Sequence, residues 1–286
     1  MATSVLADLS SALSSLTEQT AQRLVGVHGR HRVPSSGIIL KSGLIATAEE
    51  ALEWDEDIEV TLPDGKRAAA TLVGRDPTTD VALLRVEGAL TAEWVPASEL
   101  KAGGLVLAVG RGANGALAAL GVASEVGGEW ESLRGGVIDR RIRLNLRLER
   151  RLEGGAVVDA SGGIVGMAAL GPRQRAIVIP IETVNRVAAQ LASTGYVARG
   201  YLGVGLHPTR EDGVIVVSVD ESGPAKAAGI LLGDVLTEWN GEKIESVEQI
   251  FARLGPGSVG ESVALGIVRG GKPAKIDLAI GQRPRP

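Results

Sequence analysis

Leu6, Leu9, Leu13 and Leu16 recur at intervals of three and four, with Ser and Thr between them. That is the period of an amphipathic helix. The spacing predicts an N-terminal helix within residues 1–23, its leucine stripe either laid on the domain that follows or used for self-association. From Leu24 to about Ile181 the pattern changes to short apolar runs cut by Gly, Pro and Asp, among them SGIILKSGLIATA, VALLRV, LVLAVG and GGIVGMAAL. Many short strands at regular spacing predict a β-sandwich or barrel. Leu62-Pro63-Asp64-Gly65 reads as a turn, because Pro presets φ and Gly accepts a positive one. In RIRLNLRL, residues 141–148, Ile142, Leu144, Leu146 and Leu148 alternate with Arg141, Arg143, Asn145 and Arg147. A period of two puts the arginines on one face of a strand. Such a stripe either binds phosphates or an acidic partner, or is a solvated face with Glu partners nearby. Ile181 to Ala192 predicts a helix closed by Thr194-Gly195. A second unit follows from Tyr201, with the runs GVIVVSV, GILLGDVLTEWNGEKI and VALGIVRG and a helix around Val247–Leu254.

Composition sharpens this reading. A length of 286 residues suits two domains. One Phe, two Tyr and four Trp leave the cores to Val, Leu, Ile and Ala, while 39 Gly suit the many turns of an all-β design. A net charge of −4 argues against a nucleic-acid partner. The chain has no Cys, which excludes disulfides and thiolate chemistry. No stretch approaches the roughly eighteen apolar residues of a membrane span, so no membrane partner is expected. The opening MATSVLADLSSALSSLTEQTAQRL has neither a basic n-region nor an unbroken apolar stretch. Taken as the native start, it leads to the expectation of a cytoplasmic protein.

Three strings carry a resemblance to the HtrA-type serine proteases. DPTTDVALLRV, Asp76–Val86, resembles the segment that supplies the triad aspartate. EGGAVVDASGGIVGM, Glu153–Met167, has the spacing of the family's nucleophile block. RGYLGVGL followed by SGPAKAAGILLGDVLTEWNG resembles the opening and signature turn of its PDZ domain. The resemblance covers roughly Leu24 to Ile280. It implies a mainly β chain: a trypsin-like pair of six-stranded β-barrels over residues 24–195, then an α+β PDZ domain over 199–284.

Carried across residue by residue, the triad is incomplete. Asp80 matches the aspartate, Glu50 stands where the histidine belongs, and Glu153 stands where the serine belongs. Arg151 falls on the glycine that shapes the oxyanion loop. A hydroxyl nucleophile needs a base to take its proton, and imidazole is the usual one. His28, His31 and His207 lie outside the motif. Ser161-Gly162-Gly163 looks like a nucleophile string, but aligning there loses the later glycines, so Ser161 reads as a turn residue. Three carboxylates meeting in one cleft would raise at least one pKa. Arg150 or Arg151 pairing with Glu153, a protonated carboxyl, or a Ca²⁺ ion would each relieve the repulsion; no resident metal or cofactor is expected.

The resemblance implies that the PDZ domain binds the C-termini of peptides or proteins with an apolar last residue. Tyr201, Leu202, Gly203 and Val204 form the carboxylate loop, the strand through Leu206 pairs with the peptide, and Val247 and Phe251 wall the groove. The reading is therefore a non-catalytic, peptide-binding member of the family. The alternatives are an active endopeptidase with non-standard residues and a holdase-type chaperone. Family members commonly form homotrimers through N-terminal aromatic contacts; residues 1–53 contain no Phe, Tyr or Trp, which counts against a trimer here.

Overall fold

The structure is a computed structural model that describes residues 4–31, 33–88, 90–112, 115–132, 134–209 and 213–282. Residues 1–3, assigned to the N-terminal helix, and residues 283–284, assigned to the PDZ domain, lie outside these. The chain divides into two compact units, Met1–Trp130 with Ile138–Tyr196, and Glu131–Val137 with Val197–Pro286.

The first unit opens with helix α1, Val5–Ala21. Its stripe is only partly used. Leu13 and Leu16 are half-buried, and Leu16 reaches the Gly162 turn, whereas Leu6 is 76% exposed. Six strands then close a barrel: β1 (Leu24–His28), β2 (Ser35–Ile39), β3 (Leu44–Thr47), β4 (Ile58–Thr61), β5 (Arg67–Asp76) and β6 (Val81–Val86), in the order β1-β2-β3-β6-β5-β4. The turn from β4 to β5 is Leu62–Gly65, where Gly65 holds φ +86° and donates to the Leu62 carbonyl at 2.9 Å. β7 (Leu105–Gly112) and β8 (Gly115–Val126) begin a second barrel. The two-residue strands β9 (Trp130–Glu131) and β10 (Val137–Ile138) pair with each other. β11 (Ile142–Arg147), β12 (Ala156–Asp159), β13 (Ile164–Leu170) and β14 (Arg175–Pro180) complete the barrel, in the order β7-β8-β11-β14-β13-β12. Both barrels thus use one winding, and closure leaves neither with a free edge. Each is filled by aliphatic side chains: Val25, Val27, Ile45, Leu84 in the first, and Val106, Ile142, Leu144, Val178 in the second. Helix α2, Ile181–Thr194, ends at Gly195, whose φ of +77° permits the 2.8 Å cap to the Leu191 carbonyl. Ser161 lies in the turn between β12 and β13 and donates to Asp159 at 2.7 Å.

In the second unit, β15 (Gly200–Tyr201) pairs with β22 (Gly281–Gln282). A separate sheet runs β16 (Val204–Pro208), β17 (Val214–Val219), β18 (Val235–Trp239), β20 (Ser262–Arg269), β21 (Lys272–Ala279), with β19 (Glu242–Lys243) on β18. Helices α3 (Pro224–Ala227) and α4 (Val247–Arg253) accompany it, and Ser246 caps α4 by accepting from Gln249 at 3.3 Å. β16 is an edge strand.

Candidate functional site

Three loops of the first unit carry the residues matched to the triad. Asp76 is buried and accepts from the hydroxyls of Thr78 at 2.6 Å and Thr79 at 2.8 Å. This winds DPTTD into a tight turn that ends on Asp80 at φ +57°, a left-handed conformation Asp tolerates better than most side chains. A 3₁₀ turn, Glu49–Ala51, follows β3. Its Glu50 N–H donates to Asp80 Oδ1 at 2.9 Å and its Glu49 N–H to the Asp80 carbonyl at 3.3 Å. The Glu50 side chain itself is exposed. Burial pushes the Asp80 carboxyl up to about 7; the Glu50 N–H opposes the rise, and the charges of Glu50, Glu153 and Glu49 add to it. The three loops therefore bring Glu50 and Glu153 within electrostatic reach of Asp80. Glu49, the neighbour that sequence reasoning passed over, is buried and pairs with Arg75 at 3.1 Å.

Glu153 follows the 3₁₀ turn Arg150–Leu152 and is 2% exposed. Its carboxylate meets the guanidinium of Arg30 at 2.6 Å, both side chains being buried. Of the ways to relieve the repulsion, pairing with an arginine is the one seen at Glu153, but the partner is Arg30 rather than Arg150 or Arg151. Arg151 faces outward to Glu149 at 3.2 Å, and Arg150 offers Arg30 only its carbonyl, at 2.6 Å. A third bond, from Arg30 Nε to the Val33 carbonyl at 2.8 Å, completes the anchoring of the guanidinium. No spacing signal points to a partner 123 residues away. Burying a charged group costs least where it is paired and hydrogen-bonded, and here all three nitrogens of Arg30 are engaged. Backbone contacts fix the same segment. Ser36 donates its N–H to the Glu153 carbonyl at 2.8 Å and its hydroxyl to the Arg151 carbonyl at 2.6 Å. Gly154 holds φ +79°, and a Cβ there would sit 2.2 Å from the Ser36 carbonyl oxygen. The Glu153 N–H closes the turn on the Arg150 carbonyl at 3.3 Å.

The histidines have other partners. His28 lies 2.8 Å from the Thr61 hydroxyl and its pKa is lowered, first by burial. His31 meets Trp54 edge to face, and His207 contacts the Pro208 carbonyl. Among the described residues, no group of three or more His, Asp or Glu side chains is arranged to hold a metal ion.

In the second unit a cavity of about 130 Å³ is lined by Tyr201, Leu202, Gly203, Val204, Leu206 and Phe251, with Leu254 and Arg199 beside them. Gly203 holds φ +78°, and a Cβ would come 2.9 Å from Gly223 Cα. The Leu202 carbonyl accepts from Ala225 N–H at 2.7 Å and the Gly203 carbonyl from Asp220 N–H at 2.8 Å. Among the described residues every peptide bond is trans, so the N–H groups of Gly203 and Val204 point opposite to those two carbonyls. Two adjacent donors therefore turn away from the α3 side of the loop. Tyr201 Oη donates to Asp220 at 2.9 Å. Phe251 is 49% exposed, whereas Val247 rests against the core of the unit.

Residues 35–167 match the trypsin-like peptidase domain family and residues 200–280 the PDZ domain family. The serine endoprotease DegS of Haemophilus influenzae is 30% identical over 268 residues, 87% of this chain and 77% of that one. The chain belongs to the HtrA/Deg family of trypsin-like serine proteases. A probable periplasmic serine endoprotease, DegP-like, of Bartonella henselae is 32% identical over 87% of this chain. This HtrA/Deg chain spans about half of that relative, 53%. Among solved structures, the HtrA-type protease AlgW with decapeptide shares the fold at a TM-score of 0.73 and 22% identity, covering 96% of this chain and 99% of that one. The expected double barrel followed by a PDZ domain is thereby established. The cytoplasmic expectation is overturned, because the Bartonella relative is named periplasmic.

Proposed function

We propose that this chain is a non-catalytic HtrA/Deg-family protein whose PDZ domain binds the C-termini of peptides or proteins with an apolar last residue. The observation that carries the reading is the buried Arg30–Glu153 pair at the position matched to the nucleophile. A group that attacks a peptide bond must reach the substrate carbonyl and be activated by a base. A carboxylate that is 2% exposed and bound to a guanidinium does neither. The oxyanion of acyl transfer is held by the N–H of the nucleophile and the N–H two residues before it. Here the first of these donors is spent on the Arg150 carbonyl.

The binding half rests on the edge position of β16, the paired donors of Gly203 and Val204, and the cavity closed by Phe251. A peptide added along β16 extends the sheet and brings its terminal carboxylate to those donors. The HtrA-type protease AlgW was solved with a decapeptide, which supports peptide binding here. The names of the relatives, serine endoproteases, favour a second reading as an active protease. Incubation with labelled casein, followed by treatment with a serine-directed fluorophosphonate, separates the two. Intact casein and an unlabelled chain are expected; cleavage abolished by Asp80→Ala would establish the protease instead. Calorimetry with peptides ending in Val or Leu, against the same peptides amidated, tests the binding half.

A further inference from the structure

We propose that the outer face of β11, together with the turn before β14, forms an anion site that takes an extended acidic peptide segment. The β11–β14 ladder sets Arg147 opposite Arg175, and the turn Pro172–Gln174 adds Arg173. A cavity of about 200 Å³ is lined by Arg143, Arg173 and Arg175, with the Ser124 hydroxyl among them. A second depression, of about 430 Å³, is lined by Arg147, Arg150 and Arg151, with one carboxylate, Glu149, among them. Arg147 donates to the Gln174 side chain at 2.7 Å, which ties the second depression to the turn that supplies Arg173 to the first.

Six guanidiniums thus line the two depressions. Two have carboxylate partners, Arg143 with Glu125 and Arg151 with Glu149, each at 3.2 Å. Among the described residues, Arg147, Arg150, Arg173 and Arg175 make no ion pair. Four uncompensated cations on a chain of net charge −4 are a local surplus, and such a surplus concentrates anions at its surface. The structure divides the two readings of the arginine stripe. Arg141 stacks over Trp130 at 5.0 Å and lies 4.0 Å from Glu125, a solvated face with its partners. The surplus lies toward the other end of β11.

The chemistry favours carboxylates on a peptide. Guanidinium is a planar fork that grips carboxylate with two parallel bonds. Arg143 and Arg147 flank an irregularity in β11, where four steps of β11 run beside two of β14. An extended chain with acidic residues at alternate positions presents its carboxylates along one face, toward both depressions. Neither depression is lined by an aromatic ring, the platform on which single-stranded nucleic acid stacks. The site shares no lining residue with the PDZ groove, so the two proposals are tested independently.

The test is fluorescence anisotropy of the full chain with a labelled peptide of alternating Glu and Ser. Its C-terminus is amidated to remove the PDZ ligand group. Saturable binding is expected that weakens about tenfold between about 50 and about 300 mM salt. The Arg173→Gln/Arg175→Gln variant should lose about tenfold in affinity, while Arg67→Gln, on the other barrel, should bind as the parent does. Both substituted arginines are exposed, and an unchanged thermal unfolding curve verifies the fold. Equal binding of the Gln variant and the parent, equal binding of a Gly-Ser peptide, or tighter binding of an oligonucleotide of matched charge would overturn the proposal.

Discussion

Asp80 makes the acid–base state of the cleft a property that can be measured. Its carboxyl titrates near 7 in the folded chain and near 3.9 when unfolded. Between those values the folded state holds the extra proton, so stability is full below the unfolded value and falls as pH rises through about 7. Asp80→Asn keeps an acceptor for the Glu50 N–H and removes the charge. Urea unfolding should show it more stable than the parent at pH 8, by about 1–3 kcal/mol, and equal to it near pH 4. Arg30 supplies a second residue-scale prediction. Arg30→Met leaves Glu153 buried without a partner and should cost about 3–5 kcal/mol, whereas Arg30→Met/Glu153→Leu should recover most of that loss. A double-mutant cycle in urea reads the coupling directly. At this scale the sequence was only half legible. The DPTTD turn, the Glu50 loop and the Glu153 block are local strings, and their spacing identified the loops. The guanidinium that neutralises Glu153 comes from a distant loop. The direction of the Glu50 side chain depends on a 3₁₀ turn that no motif encodes.

Elements were more legible than contacts. Alternation in RIRLNLRL produced β11 with Ile142 and Leu144 buried, and the αL cap at Gly195 ended α2 where the sequence placed its stop. Helix α1 has the predicted period, yet Leu6 and Leu9 stay exposed. Periodicity gives a helix its apolar side without saying how much of the neighbour it covers. The loop before β16 carries the element-scale prediction. Gly203→Ala forces a Cβ to within 2.9 Å of Gly223 Cα at a positive φ. The loop must shift, and the donors of residues 203 and 204 shift with it. Affinity for a peptide ending in Val should fall about tenfold or more, while global unfolding moves by only about 1–2 kcal/mol. Calorimetry and thermal unfolding on the same sample distinguish the two effects.

At the scale of the molecule, one winding serves both barrels, and the family likeness spans nearly the whole chain. The broad architecture was legible because turn glycines and short aliphatic strands are distributed along the sequence. The compartment was not, since nothing in a folded barrel encodes it. The proposed reading also makes a molecular prediction. Binding of a peptide with a free apolar C-terminus and binding of an amidated acidic peptide should be additive. Anisotropy of the acidic peptide measured with the first ligand saturating should give an unchanged Kd; a shift would reveal coupling between the two units.

The interior pair of Arg30 and Glu153 also works as an evolutionary ratchet. A serine introduced at 153 would strand a guanidinium inside the protein, and a neutral residue at 30 would strand a carboxylate. Each single exchange at either position thus crosses an intermediate carrying an orphaned interior charge. Sequences descended from this one should keep both residues or exchange both together.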